Sequence, residues 1–289
     1  MRSFGSPEGA CRGLWLVLGG GGLKGLAHVG AWRALREAGI RPEGIVGTSI
    51  GALVGALVAS GVDVEELYRL ALGLRRERVA RFNRRAVWIN GIRQPSVLEG
   101  EPLRELIAEL LPQGGWSALR MPVLMNAVDL GDGKTHWFGS GARTDVPLAD
   151  AVYASCALPV LYPPFQVDGR ALVDGGLARQ LPIGEAAGRG ATRIVAIDVG
   201  SGGRVDAREV LEGGLVAIHQ RVVSLMTWQR RHDMLGRWSG PPLLYVRPEL
   251  DGYGTFDFEH VGYFLDEGYR AMTEALRAGA WRGNLGEAG

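Results

Sequence analysis

Two short apolar runs, each ending in glycines and followed by a stretch with helical spacing, most constrain how this 289-residue chain can fold. The first run is Leu14–Leu18, which enters four consecutive glycines before a helical pattern over residues 23–38. The second is residues 44–46, which enters Gly47-Thr48-Ser49-Ile50-Gly51 before an apolar, helix-like stretch that ends at Ser60. Because buried strands that alternate with helices are typical of parallel sheets, the order predicts an α/β fold with a helix-flanked sheet.

Later segments add further strands and a helical C-terminal part. Residues 193–198 and 243–246 read as buried strands, and residues 123–130 and 134–138 flank a Gly-Asp-Gly turn that predicts a hairpin. Residues 207–238 predict one long helix, with a weak point at two adjacent glycines and an exposed basic end. That weak point is Gly213-Gly214, and the basic end is Arg230, Arg231 and Arg237.

No internal repeat, linker or low-complexity segment interrupts the chain. We therefore expect a single domain over residues 1–289, with the core motifs within 14–200. A C-terminal helical part over residues 207–278 is expected to pack on that core, and it closes with an amphipathic helix over residues 261–276.

Composition excludes several classes of function. A net charge of +1 gives no drive toward nucleic acid, and no Lys/Arg run is interleaved with aromatic residues. Cys11 and Cys156 are too few for a disulfide scaffold, and the spacing of Cys and His fits no metal site, so we expect neither a metal nor another cofactor. The apolar run at Leu14–Leu18 is shorter than a signal-peptide core or a membrane span, which makes the cytoplasm the expected location.

Ser49 is the candidate nucleophile, because it lies in a G-x-S-x-G elbow between a strand and a helix. In such an elbow the serine occupies a strained turn, and the small flanking residues Gly47 and Gly51 let the turn close and the substrate approach. Alone, the motif is also compatible with a simple glycine turn.

The glycine loop of residues 19–25 is the candidate oxyanion site, because its backbone N–H groups are not screened by side chains and a helix N-terminus follows. The loop also matches the dinucleotide fingerprint at Gly20, Gly22 and Gly25. That reading requires an acidic residue after the second strand, whereas Glu43 precedes it. A Walker-type phosphate loop fits less well, since no hydroxyl residue follows Lys24.

The general base has two interpretations. Asp174 follows a short strand and precedes Gly175-Gly176, so a tight turn would hold it at the end of the sheet. An aspartate serves as base without histidine when it is partly desolvated and within hydrogen-bond reach of the serine. Alternatively, His219, His232 or His260 would complete a Ser-Asp-His triad, although their helical surroundings favour surface or capping roles.

These motifs together resemble the patatin-like phospholipase family. The resemblance spans residues 14 to about 200 and is carried by a set of segments in the same order as in that family. They are the glycine loop with Lys24 and Gly25, the elbow at residues 47–51, residues 154–159, Pro163-Pro164-Phe165, Asp174-Gly175-Gly176 and Leu181-Pro182-Ile183.

The resemblance implies a three-layer α/β/α sandwich with a mostly parallel central sheet. It further implies a lipid acyl hydrolase with a Ser49–Asp174 dyad, an acyl-enzyme intermediate, and an oxyanion hole formed by Gly21, Gly22 and Lys24, without a metal. Two alternatives stay open: a Ser-Asp-His thioesterase or carboxylesterase, and a non-catalytic module that binds a nucleotide or acyl-CoA.

A cluster of arginines with interspersed aromatic residues is a candidate membrane contact. Basic residues would face anionic headgroups and the aromatic residues acyl chains, which would place the protein peripherally at the inner membrane surface. An ordinary solvated helix face gives the same pattern. The cluster consists of Arg75, Arg76, Arg78, Arg81, Phe82, Arg84, Arg85 and Trp88.

Overall fold

A nine-stranded sheet forms the centre of the computed structural model, which describes residues 13–83, 94–203, 205–279 and 281–282. The strands are β1 (Leu14–Leu18), β2 (Gly44–Gly47), β3 (Val123–Asp129), β4 (Thr135–Gly139), β5 (Phe165–Val167), β6 (Arg170–Asp174), β7 (Arg193–Ile197), β8 (Leu243–Val246) and β9 (Trp281–Arg282). Their order is β5-β6-β3-β2-β1-β7-β8-β9, and β4 pairs with β3 off this path.

The sheet is parallel in its centre and antiparallel at its edges. Strands β3, β2, β1, β7 and β8 run parallel to their neighbours in that series, while β4, β5, β6 and β9 pair antiparallel. The prediction of a mostly parallel central sheet is confirmed. Since the carboxyl ends of parallel strands meet at one edge, the residues that follow β1 and β2 are brought together there.

Helices cover the sheet and connect its strands. They are α1 (Ala27–Glu37), α2 (Ile50–Ser60), α3 (Val64–Leu72), α4 (Arg76–Val79), α5 (Glu101–Leu110), α6 (Leu148–Cys156), α7 (Gly176–Arg179), α8 (Ile183–Gly188), α9 (Ala207–Glu212), α10 (Gly214–Gly236) and α11 (Val261–Ala278), with short 3-10 helices at Gly22–Leu26 and Gly115–Ala118.

Alternate residues of β1 enter two separate apolar cores, one on each face of the sheet. Leu14, Leu16 and Leu18 join the larger core with α1, α2, α6 and α11, whereas Trp15 and Val17 join the smaller core with α8. Strands buried on both faces are expected to be apolar throughout. The layers are therefore helix, sheet and helix, as the three-layer expectation requires.

Helices α1 and α11 approach each other unusually closely in the larger core. A Cβ at Gly30 would lie 1.8 Å from Leu265 O, and a Cβ at Gly268 would lie 1.9 Å from Ala27 O. Only glycine fits at both positions, so the two glycines allow the backbones of the helices to come together.

Several elements differ from the sequence expectations. The predicted helix over residues 23–38 begins as a 3-10 turn at Gly22–Leu26, and the aromatic connection near Pro164 contains the edge strand β5. The long C-terminal helix breaks at Gly213-Gly214, where Gly214 has φ of 67°. The basic end of that helix is not uniformly exposed, since Arg231 is buried and its Nε lies 2.7 Å from Asp198 Oδ2. A buried charge requires such a partner, and sequence spacing alone did not reveal it.

Candidate active site

The nucleophile elbow is a strained turn between β2 and α2. Ser49 has φ of 56° and ψ of −128°, a left-handed φ that is rare for a residue other than glycine. A Cβ at Gly47 would lie 2.5 Å from Gly51 O, and a Cβ at Gly51 would lie 2.2 Å from Leu18 O. Both flanking glycines are therefore required by contact, as the elbow motif predicts.

Two residues at the end of α6 contact the elbow. The N–H of Ser49 donates to Ser155 Oγ over 2.9 Å, and both residues are buried. Burial, with a further contribution from Asp174, holds the pKa of the Cys156 thiol well above its usual range, although the Ser49 hydroxyl opposes the shift. The thiol is therefore neutral and does not compete with Ser49 as a nucleophile. Neither Ser155 nor Cys156 was predicted from the sequence to have a role in the site.

Asp174 ends β6 and is 2% exposed. Its Oδ1 accepts the Gly176 N–H over 2.7 Å, whereas its Oδ2 is buried and has no hydrogen-bond partner among the described residues. Burial raises the pKa of Asp174 to about 6, and interactions with the Ser49 hydroxyl and the Gly176 N–H lower it in part. A buried acceptor without a partner is rare in folded proteins. Because no donor occupies it, Oδ2 is available to receive a proton.

A buried polar network joins the turn of Ser49 to the turn of Asp174. Thr48 Oγ1 donates to Asn126 Oδ1 over 2.8 Å, and Asn126 Nδ2 donates to the carbonyls of Gly175 at 3.1 Å and Arg179 at 3.2 Å. A Cβ at Gly175 would lie 2.4 Å from the Asn126 side chain, which explains the glycine. Asn126 was not among the site residues predicted from the sequence. The signal was a single amide within the otherwise apolar run before Asp129, because a buried amide needs partners.

The glycine loop presents two unpaired N–H groups. The N–H of Gly19 donates to Ile197 O and that of Gly20 donates to Gln180 O, while that of Leu23 donates to Thr255 O. Between them, the N–H groups of Gly21 and Gly22 have no hydrogen-bond partner in the described part of the chain. Those are the two donors that the resemblance implied for the oxyanion.

Close contacts and a buried histidine hold this loop in place. A Cβ at Gly25 would lie 2.0 Å from the Ile50 side chain, so the loop packs directly on the start of α2. Burial lowers the pKa of His28 to about 4, which keeps the ring neutral, and its Nε2 lies 2.8 Å from Gly19 O. Since a carbonyl only accepts, the proton is on Nε2 and the ring donates to the loop.

Lys24 is buried and lines the same cleft as Ser49. Its ammonium group donates to Ser201 Oγ, and burial lowers its pKa to about 8 while Asp251 raises it. The charge of Lys24 is therefore stabilised by the hydrogen bond to Ser201 and by nearby acidic groups. No hydrogen bond joins Lys24 directly to Ser49 or Asp174.

The candidate nucleophile, base and oxyanion residues line one cleft of about 390 Å³, whereas Gly25, Gly47, Gly51 and Gly175 lie behind its surface. Its lining includes Gly20, Gly21, Gly22, Lys24, Ser49, Asp174 and Gly176, together with residues of α10. No histidine occurs among the described residues that form this lining. His232 instead stacks on Trp228, the ring of His260 bonds to Asp257, and His219 lies on α10.

The arginine cluster is described only in part, because Arg84, Arg85 and Trp88 lie outside the described residues. Within the described part, Phe82 is exposed, Arg78 pairs with Glu109, and Arg81 lies 3.8 Å from Glu99. The remaining members form other contacts: Arg75 bonds to the Leu72 and Leu74 carbonyls, and Arg76 lies over the ring of Phe258. No helix in the described ranges combines the length and the apolar character needed to cross a bilayer.

Asp129, Asp132 and His136 lie close enough together to hold a cation. However, Arg170 bonds to Asp129 and lies 3.8 Å from Asp132, which already balances much of their charge. None of the three lines the cleft of Ser49.

The fold is a mostly parallel α/β sheet, and a strained serine elbow and a buried aspartate share one of its clefts. This arrangement is the architecture of α/β serine hydrolases. The chain belongs to the patatin-like phospholipase family, whose model matches residues 16–187.

The chain is also similar to two relatives in sequence and to a solved structure in fold. The chain is 34% identical over 194 residues to an uncharacterized NTE family protein of Mycobacterium bovis, covering 67% of this chain and 51% of that protein. It is 30% identical over 296 residues to lysophospholipase nte1 of Neosartorya fischeri, covering 95% of this chain and 19% of that protein. The chain thus spans about half the length, or less, of these relatives. The crystal structure of VipD from Legionella pneumophila shares the fold, with a TM-score of 0.51 at 17% identity over 92% of this chain and 66% of that one.

Proposed function

We propose that this chain is a lipid acyl hydrolase that cleaves carboxylic esters with Ser49 as nucleophile and Asp174 as base. The observation that carries the proposal is the buried, unpaired Oδ2 of Asp174 in the same cleft as the strained Ser49. Family membership and the name lysophospholipase among the relatives support an ester of a phospholipid or another acylated alcohol as substrate.

The proposed reaction begins when the Ser49 hydroxyl attacks the ester carbonyl. Asp174 Oδ2 accepts the hydroxyl proton, and then delivers it to the departing alcohol as the tetrahedral intermediate collapses to an acyl-enzyme. In the second half water attacks the acyl group and Asp174 accepts its proton. Asp174 returns that proton to Ser49 Oγ as the bond between Oγ and the acyl carbon breaks, so the carboxylic acid leaves and Ser49 is regenerated. A pKa of about 6 suits this role, because the carboxylate is ionised at neutral pH and still basic enough to take a proton.

The oxyanion of each tetrahedral intermediate would lie against Gly21 and Gly22. Their unpaired N–H groups support this role, because donors that are already oriented need no reorganisation as charge develops. Lys24 would act through its positive potential, since its ammonium group is held by Ser201. Gly20, Gly25, Gly47, Gly51, Gly175 and Gly176 would serve as the positions that permit these close contacts.

The Ser-Asp-His alternative is less well supported, because none of the described residues that line the cleft is a histidine. The nucleotide-binding alternative requires an acidic residue at the end of β2. The strand instead ends at Gly47, and Thr48 and Ser49 follow it. We further propose that residues 1–289 act as a single domain in the cytoplasm, with peripheral membrane contact. These last statements require cell fractionation and vesicle binding to test them.

The test uses paired variants and a covalent probe. Ser49→Ala and Asp174→Asn should each lower hydrolysis of p-nitrophenyl butyrate by at least about a thousandfold, because each removes a group that the chemical step needs. Ser60→Ala and Asp132→Asn, outside the cleft, should leave the rate within about twofold. A fluorophosphonate probe should label the wild type and Asp132→Asn but not Ser49→Ala. Full activity of either dyad variant would refute the dyad.

The pH dependence gives an independent readout. Because the base must be ionised, kcat/KM should fall as pH decreases through about 6, the raised pKa of Asp174, and should be level between about pH 7 and 8. The measurement is kcat/KM between about pH 3.5 and 8.5 with a soluble ester. A profile that falls only below about pH 4, the range of an ordinary aspartate, would contradict the raised pKa of Asp174.

A further inference from the structure

Helix α10 faces its apolar residues toward solvent. Of its 23 residues, only Thr227 and Arg231 are buried. The exposed apolar residues of α10 recur at intervals of three and four, which places them on one side of that helix. We call this set the apolar stripe: Leu215, Ile218, Val222, Leu225 and Met226. A large exposed apolar patch on a protein surface marks an interaction site.

The opposite side of α10 lines the cleft that contains Ser49 and Asp174. Ala217, Ser224 and Thr227 all belong to the cleft lining. Val222 and Ser224 are two residues apart, which at about 100° per residue places them on nearly opposite faces of the helix. Helix α10 also contacts α7, the helical turn that directly follows Asp174. The stripe is therefore the outer face of the helix whose inner face forms the wall of the cleft.

The charge within the stripe is positive. From Leu215 to Met226 the sequence contains Arg221 and no acidic residue, and Arg230 follows one turn later, whereas Arg231 is buried against Asp198. Arg230 is exposed, and Arg221 borders the cleft. Trp228 lies at the end of the stripe and is 39% exposed, with its ring stacked on His232. Apolar residues with flanking arginines and a tryptophan are the pattern that seats an interfacial helix in the headgroup region of a bilayer.

We propose that the apolar stripe docks the protein on a lipid surface, with the mouth of the cleft against the headgroups. The proposal rests on the proposed function, since it assigns the source of the substrate to a membrane rather than to free solution. An ester bond of a bilayer lipid would then reach Ser49 past the inner face of α10 without crossing open water.

Two observations favour a lipid surface over a second copy of the chain. An antiparallel pairing of two stripes would be centred near Gln220 and would bring the Arg221 residues of both copies next to each other. No acidic residue lies between Glu212 and Asp233 to partner either arginine, and like charges in such an interface oppose association. The inner face of the same helix lines the cleft, so a lipid substrate explains both faces of the helix at once.

The arginine cluster around α4 is the competing membrane contact. Two of its described arginines, Arg78 and Arg81, have glutamate partners, whereas the stripe has five exposed apolar side chains without a covering element among the described residues. The two surfaces are therefore separable by mutation.

The experiment measures binding to sucrose-loaded phosphatidylcholine vesicles containing phosphatidylglycerol, in the Ser49→Ala background so that lipid is not consumed. Leu215→Gln with Val222→Gln should raise the lipid concentration for half-maximal binding at least tenfold, because two apolar side chains would leave the bilayer. Leu130→Gln is the matched control, since Leu130 is 56% exposed and does not line the cleft, and it should change binding less than twofold. Arg75→Gln with Arg76→Gln tests the competing cluster.

Activity separates this proposal from the proposed function. With Ser49 intact, the double stripe variant should hydrolyse p-nitrophenyl butyrate within about twofold of wild type but lose at least tenfold on vesicle phospholipid. Unchanged vesicle binding of that variant, loss of binding only in the arginine variant, or a wild-type dimer that the stripe variant dissociates would overturn the docking surface. A wild type that binds vesicles through the stripe yet hydrolyses neither substrate would refute the proposed function alone.

Discussion

Helices α10 and α11 carry similar amounts of apolar sequence and use it in opposite ways. In α11, seven of 18 residues are buried, and they include Phe264, Leu265 and Met272 in the larger core. In α10, the two buried residues are the polar Thr227 and Arg231, and the leucines and valines are exposed or half-buried. An apolar face shows that a helix has something to cover, but not what covers it.

The difference follows from what each helix contacts. Helix α11 lies on α1 at a distance that only glycines allow, so its apolar residues leave water on folding. Helix α10 is held instead by polar anchors: Arg231 pairs with Asp198 and bonds to Gln180, and Arg230 donates to Leu177 O. One helix thus contributes to stability, and the other forms a wall of the cleft.

The largest expected effect comes from breaking the α1–α11 contact. Gly268→Val would place a side chain 1.9 Å from Ala27 O, so the helices must separate and the unfolding free energy should fall by more than about 4 kcal/mol. The measurement is equilibrium urea unfolding, with the soluble yield as a second readout. Gly262→Ala on the same helix is the control, because a Cβ there has nothing within 4 Å, and its stability should be unchanged or higher by up to about 1 kcal/mol. Equal stabilities of the two variants would contradict the packing account.

An intermediate effect is expected from the polar anchor of α10. Arg231→Leu removes the 2.7 Å ion pair with Asp198, which keeps Arg247 at 3.0 Å and the Tyr245 hydroxyl as partners. We expect a local cost of about 2 kcal/mol, which is below the usual cost of breaking a buried pair because those partners remain. Amide hydrogen exchange should therefore accelerate about thirtyfold in α10 and not in α11.

The control for that anchor is the neighbouring exposed arginine. Arg230→Leu loses one hydrogen bond to Leu177 O at the surface, and its exchange rates in α10 should change less than about fivefold. If Arg230→Leu and Arg231→Leu accelerate exchange equally, the buried ion pair is not what holds the helix.

The sequence predicted the parts of the fold that depend on local pattern. Apolar runs that end in glycines identified β1 and β2, and the two glycines at 213–214 marked the break before α10. The burial of Arg231 and the exposure of Leu215 were not predictable in the same way. The burial of Arg231 depends on its contact with Asp198, and the contrast between exposed Leu215 and the buried residues of α11 depends on the contact of α11 with α1. Each contact spans more than thirty residues of sequence, and hydrophobic periodicity carries no information about such a partner.

The same distinction between local sequence pattern and long-range contact applies to the residues of the candidate site. Ser49 and Asp174 could be singled out because each lies at the end of a strand and next to glycines. Replacing those glycines with larger residues would cause a steric clash. Asn126 and Ser155, which position the two turns, belong to a strand and a helix whose sequences read as ordinary core. Their contacts join residues 49 and 78 positions apart, as in Asn126 to Gly175 and to Thr48, so only the folded chain brings them together.

The smallest expected effect is the sharpest test of the comparison. Leu215→Gln and Leu265→Gln make the same chemical change on α10 and α11, at residues that are 83% and 2% exposed. Leu265→Gln buries an amide and should lower the unfolding free energy by about 3 kcal/mol, whereas Leu215→Gln should change it by less than about 0.5 kcal/mol. Urea midpoints at constant m-value measure both. A loss of more than about 1 kcal/mol at Leu215 would mean that α10 is already covered in the free protein, and the outward apolar face would then be structural.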